Sequence, residues 1–198
     1  MTAVFLYSPN TDTMKKFVLI VLSCTILTCC GSTSKAPQDP RAIERFTSFV
    51  NEKSFEFVAT TAYPTATQSL NAIANSGILP PGNTAGTIQL IGTPNYVKFY
   101  GDSVSAYLPF YGERQFGGGL SGNTGIEFKG IPNDYEQTYN TGKERFEIEF
   151  DIADKTEVYQ INLLLFSDNS AQVNVNSNQR NSIRFSGDVK AIEPKTEN

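Results

Sequence analysis

The sequence predicts a mainly β protein, an antiparallel meander of about eight strands, curled or barrel-like, with an N-terminal amphipathic helix packed against it. Three observations lead there. From Phe55 onward apolar residues recur at every second position, the period of strands with one buried face. The links between these runs are short and rich in Gly, Asn, Asp and Ser, as hairpin turns require. One segment before Phe55 has the helical period instead.

The chain opens with signal-peptide anatomy. Lys15-Lys16 leads into the apolar run Phe17-Val18-Leu19-Ile20-Val21-Leu22 and on to Cys29-Cys30, a stretch too short for the ~20 apolar residues of a spanning helix. Met14 directly precedes the lysines, which marks it as the expected true start. Leu27-Thr28-Cys29-Cys30-Gly31 is similar to the lipobox of bacterial lipoproteins, with Cys30 as the acylated residue and Cys29, preceded by Ile26, as the alternative. Cys24 fits less well, because Thr25-Ile26-Leu27 would then stand in a tether that should be polar. An ordinary secretory signal with incidental cysteines is the plainer alternative. Residues 31–40, Gly-Ser-Thr-Ser-Lys-Ala-Pro-Gln-Asp-Pro, have the composition of a flexible tether. The expected organisation is signal segment 1–30, tether 31–40 and one β-rich domain over 41–194.

The domain begins with the helix. Asp39 is a suitable N-cap and Pro40 suits the first helical position, after which Ala42, Ile43, Phe46, Phe49 and Val50 share one face. The expected strands carry the alternations Phe55-Phe57-Ala59, Val97-Phe99, Val104-Ala106-Leu108, Ile126-Phe128, Phe146-Ile148-Phe150-Ile152, Ala171-Val173-Val175 and Ile183-Phe185-Gly187-Val189. Residues 158–166 are apolar on both faces and are expected at the centre of the sheet. Between the first two strands, Leu70, Ile73 and Ala74 before Gly77 predict a short helix, followed by a Pro80-Pro81-Gly82 turn. A two-layer sandwich is the alternative architecture.

Composition narrows the chemistry. The net charge of −4 is wrong for nucleic acid, whose phosphates attract a basic surface. The three cysteines all fall at or before Cys30, and the chain has no histidine, so the body lacks the residues for a disulfide framework, a Cys or His metal site, or a Ser-His-Asp relay. No cofactor is implied.

The string from Asn95 to Gly112, above all Leu108-Pro109-Phe110-Tyr111-Gly112-Glu113-Arg114, together with Phe55 to Ala59 and Ser177 to Gly187, resembles the Bacteroidetes lipoproteins catalogued as domain of unknown function 4251. The resemblance covers roughly residues 43–192. In that family Tyr-Phe more often stands where this chain has Phe110-Tyr111, and Arg-Ala where it has Glu113-Arg114. It implies an envelope address, in keeping with the lipobox, and no established activity. The tether has no acidic residues directly after the cysteine, which favours the periplasmic face of the outer membrane.

The features that invite a chemical reading each have a plainer one. Gly117-Gly118-Gly119 to Gly125 lacks the Gly-Lys-Ser/Thr of a phosphate loop and is expected to be a hairpin loop. Glu147, Glu149 and Asp151 share a strand face that suits solvent more than a cation. Asp134 with Glu136, or Glu113 beside Arg114, supplies carboxylates for glycoside chemistry only if two of them meet in a cleft. Among the aromatic residues Tyr96, Tyr100, Tyr107, Phe110, Tyr111 and Phe116, most are expected to pack, and Tyr107, Phe110, Tyr111 and Phe116 form the candidate binding surface. The expected role is a membrane-anchored, non-catalytic module for a glycan, peptide or envelope-protein ligand. The alternative is a carboxylate-dependent hydrolase acting on envelope glycans.

Overall fold

The computed structural model of the protein describes residues 40–115, 125–155 and 157–192. The lipobox cysteines, the N-cap Asp39, Phe116 and most of the glycine-rich stretch lie outside the described residues. Helix α1 (Pro40–Asn51) leads into β1 (Ser54–Pro64), then α2 (Gln68–Asn75) and β2 (Ile88–Gln89). There follow β3 (Tyr96–Tyr100), β4 (Ser103–Leu108), β5 (Ile126–Gly130), β6 (Asn133–Asn140), β7 (Arg145–Asp154), β8 (Glu157–Phe166), β9 (Ser170–Ser177) and β10 (Ile183–Ala191).

All pairings are antiparallel within one sheet of order β5-β4-β3-β1-β10-β9-β8-β7-β6, with β2 beside β1. Sequence neighbours pair throughout both arms, and β1 joins the arms by lying between β3 and β10. The right-handed twist of a sheet this wide curls it into a half-barrel. Rings from distant strands therefore meet inside: Phe99 of β3 and Phe128 of β5 both set their edges against Phe150 of β7, at 5.9 and 6.4 Å between centroids. Phe55 stacks on Phe99 at 4.6 Å.

Two elements go beyond the expected strands. The two-residue β2 is too short to show any period. β6, Asn-Asp-Tyr-Glu-Gln-Thr-Tyr-Asn, has no aliphatic residue because it is an edge strand, and only Tyr135 and Tyr139 turn toward the core. β8 is an interior strand but not one buried on both faces. Tyr159, Ile161, Leu163 and Leu165 point inward, while Val158 is 39% exposed and Leu164 and Phe166 are only half-buried.

β1 carries the bend. Its register against β10 shifts between Ala59 and Thr61, and the inward phase moves from Phe55, Phe57 and Ala59 to Ala62 and Pro64. The bulge turns the carbonyl of Thr60 outward, where it accepts from Leu90 N at 2.9 Å and holds the returning chain. Opposite it, a Cβ on Gly187 would fall 1.9 Å from the Val58 carbonyl oxygen, so only glycine fits this approach.

α1 covers one end of the half-barrel. Phe46 meets Phe146 edge-on at 5.5 Å, Phe49 lies 5.6 Å from Phe55, and Val50 is fully buried. α2 is capped by Thr67, whose hydroxyl accepts from Leu70 N at 3.2 Å, and it ends before Gly77 at φ +74°. Among the described residues no helix is long and apolar enough to cross a membrane.

Candidate functional site

Strand alternation builds a groove on the outside of β3, β4 and β5. Val97, Phe99, Val104, Ala106, Leu108, Ile126 and Phe128 face the core. The residues between them must face out. The register sets Tyr96 beside Tyr107 and Tyr107 beside Glu127, Lys98 beside Ser105 and Ser105 beside Lys129, and Tyr100 beside Ser103. The turn joining β3 to β4 needs Gly101 at φ +60°, and its N–H donates to the Lys53 carbonyl at 2.9 Å. The groove encloses about 790 Å³ and is bounded on its far side by Asp154 and Lys155.

Tyrosines dominate its surface. The rings of Tyr96 and Tyr107 lie 6.4 Å apart at 29°, and Tyr107 and Tyr100 are 41% and 51% exposed. Lys98 Nζ sits 4.3 Å above the Tyr96 ring and 3.2 Å from a Glu56 carboxylate oxygen, so its charge is already partly met. The remaining charges, Lys129 and Lys155 against Glu127 and Asp154, balance. The groove thus offers phenol faces, hydroxyls and charges of both signs.

The candidate residues separate. Tyr107 lines the groove. Phe110 and Tyr111 instead pack against the core, and burial raises the Tyr111 phenol pKa. Phe110 lies 5.1 Å from the Arg180 guanidinium carbon, next to a polar cluster that sequence reasoning missed. There the carboxylate of Glu157 accepts from Arg180 Nε at 2.6 Å and Nη2 at 2.9 Å, from Arg114 Nη2 at 3.0 Å and from Ser177 Oγ at 2.6 Å. Arg180 also donates to the Gly125 carbonyl at 2.7 Å and to Tyr159 Oη at 3.3 Å. Burial pushes the Glu157 carboxyl up, but the hydrogen bonds from Arg180 and Ser177 and the Arg180 charge outweigh it and hold it below the usual carboxylate range. Burial also drives the Tyr159 phenol well above its ordinary value. The cluster clamps the chain leaving β4: Gln115 N donates to the Gln179 carbonyl at 2.8 Å and Asn181 N to the Glu113 carbonyl at 3.3 Å.

The other carboxylates that drew attention are occupied or exposed. Glu147 takes the Arg145 guanidinium at 2.8 Å, and that hydrogen bond is the main reason its pKa is lowered. Glu149 accepts from Asn162. Glu113, Asp134 and Glu136 are exposed. Among the described residues no group of acidic or sulfur ligands gathers in a way that would hold a metal ion.

A curled antiparallel sheet capped by a helix, with a shallow aromatic groove on its outer face, defines a small β-domain. Residues 38–189 match the family model described as Domain of unknown function (DUF4251), and the chain belongs to that family. The fold is similar to that in the crystal structure of a DUF4251 family protein from Bacteroides eggerthii, with a TM-score of 0.51 at 18% identity, covering 77% of this chain and 89% of that one. No curated protein matches the chain.

Proposed function

We propose that the protein is a lipid-anchored envelope lipoprotein whose β-domain is a non-catalytic binding module, with the groove of Tyr96, Tyr100 and Tyr107 as its recognition surface. The observation that carries this reading is the placement of Tyr100 and Tyr107, half-exposed on a strand face where alternation calls only for polar side chains. Aromatic faces flanked by hydroxyls and balanced charge suit a glycan, a peptide or another envelope protein. The geometry does not favour the carboxylate hydrolase. Glu157 is the buried carboxylate of the described residues, and Arg180 and Arg114 hold it ionised, the opposite of what a general acid requires.

The test is recovery of ligand from intact envelopes by the native chain and by a Tyr100→Ala, Tyr107→Ala variant. Ligand retained by the first and lost by the second supports the assignment; equal recovery refutes it. The proposed address, on the periplasmic face of the outer membrane, is tested by mass spectrometry of the mature N-terminus. An acylated Cys30, or Cys29 as the alternative, is expected there.

A further inference from the structure

Between Glu56 and Lys98 the sequence contains no Asp, Glu, Lys or Arg, although such residues make up 18% of the chain. This uncharged stretch is most of β1 together with the whole excursion that leaves β1 at Pro64, forms α2, touches the sheet at β2 beside β1, and enters β3 at Tyr96. The excursion also displays isolated aliphatic side chains: Ile73 is 42% exposed, Ile78 73% and Ile91 89%. Outside the tyrosine groove, the other large apolar residues exposed this way among the described residues are Ile131 and Val158.

The backbone of the excursion is largely satisfied from within. Thr84 N and Thr87 N exchange bonds with each other's carbonyls at 2.9 and 3.3 Å. Gln89 N donates to Asn83 Oδ1 at 2.8 Å, and Asn95 Nδ2 to the carbonyls of Leu90 and Thr93 at 3.3 and 2.9 Å. Protruding isoleucines, no charge to desolvate and an internally bonded backbone are together what a lipid interface accepts and water does not favour. Its exposed polar side chains, Gln68, Ser69, Asn71, Asn75 and Ser76 among them, are uncharged hydroxyls and amides, so the stretch offers a protein partner no ion pair at a rim and carries no charge to keep it out of a headgroup layer.

We propose that this excursion rests on the lipid surface, with Ile73, Ile78 and Ile91 entering the boundary between headgroups and acyl chains. The inference rests on the lipid-anchor reading above. A tether over residues 31–40 extends at most ~33–36 Å, so an anchored domain stays close to the bilayer and even a weak surface affinity is enough to orient it. Because the excursion has no basic residue, contact is driven by apolar burial, and it is insensitive to salt and to anionic lipid.

The experiment uses the mature chain recovered from envelopes, acylated at its N-terminal cysteine and reconstituted into phosphatidylcholine vesicles, so that an introduced cysteine is the single free thiol. A nitroxide is placed in turn at Ile78→Cys, Ile91→Cys and, as control, Asp188→Cys on the exposed face of β10. Ile78 and Ile91 are so exposed that labelling them leaves the core intact. The expected result is a several-fold higher ratio of collisions with oxygen over collisions with a water-soluble relaxant at positions 78 and 91 than at 188, unchanged by high salt. Vesicle-bound protein with all three labels equally aqueous overturns the inference and leaves the anchor reading standing. A mature chain recovered from envelopes without acylation and unable to enter vesicles overturns the anchor reading and the inference with it.

Discussion

The Glu157 cluster yields a prediction whose size follows from a charge count. Two guanidiniums share one carboxylate, and the side chains of Arg180 and Glu157 are only 3% and 7% exposed. Glu157→Gln keeps the shape and removes the charge, leaving Arg180 buried without a counterion. Breaking a buried pair in this way costs about 3–5 kcal/mol, a third or more of the stability of a typical domain. For a domain of this size that is a drop in Tm of about 6–20 °C. Arg114→Gln is the counter-experiment. Arg114 is 24% exposed, and its removal leaves Glu157 and Arg180 as a neutral bidentate pair, so the expected cost is about 1 kcal/mol. Urea unfolding with an unchanged m value measures both. The sign with pH is fixed as well. The folded Glu157 carboxyl binds its proton less tightly than the unfolded one, so its contribution is complete above the unfolded value of ~4.3 and disappears as pH falls through the folded value. A Glu157→Gln cost below that of Arg114→Gln, or a native acid limb no steeper than that of Glu157→Gln, would refute the reasoning.

Three further outcomes are expected. Gly187→Ala drives a methyl into the Val58 carbonyl at the β1 bulge and should cost about 3 kcal/mol or more, whereas Gly142→Ala, whose nearest contact is a side-chain oxygen at 3.6 Å, should be mild; equal midpoints in urea would be inconsistent with the close approach. Phe46→Ala removes the ring that α1 sets against Phe146 and should cost about 3 kcal/mol, with faster amide exchange confined first to α1; uniform loss of protection would argue against a separately docked helix. Burial, with a smaller contribution from the Asp102 charge, pushes the Tyr135 phenol up to about 12, so the difference in phenolate absorbance between the native chain and Tyr135→Phe should develop near there and not near ~10.

The architecture was largely legible because a half-buried strand writes its orientation into every second residue. Phe146-Glu147-Ile148-Glu149-Phe150-Asp151-Ile152 alternates through β7, and the structure buries all four apolar members. Where that rule has no purchase, reading failed for identifiable reasons. β6 is an edge strand and presents too few apolar residues to mark a face. Leu164 and Phe166 suggested that β8 is buried on both sides, but Phe166 lies on the outer face beneath the Arg145 guanidinium, 5.9 Å from its ring centroid, where the arginine stem shields it. The order of strands was not legible at all. Insertion of β1 between β3 and β10 is a long-range pairing, and nothing local encodes it.

The site divides along the same line. Within β4, Val104, Ala106 and Leu108 point inward, so Tyr107 must point out, and the same parity about Val97 and Phe99 places Tyr96 and Tyr100 beside it. That much was available from the sequence. Pro109 then ends the strand, the alternation no longer governs, and Phe110 and Tyr111 turn toward the core. Glu157 had left a readable sign. It stands in the inward phase of β8, two residues before Tyr159 and four before Ile161, where a carboxylate is tolerated only if a cation meets it inside. That cation is Arg180, reached across a turn that looked like an ordinary polar connection, with Arg114 from the family-like string as its second partner. The most family-like piece, Leu108 to Arg114, therefore packs inward, with Phe110 against Arg180 and Arg114 on Glu157, while Tyr96, Tyr100 and Tyr107 of the same string face the groove proposed for recognition. A resemblance whose most characteristic piece holds the fold together speaks first for the fold. The ligand is then to be read from Tyr96, Tyr100 and Tyr107, which line the outer face and not the core.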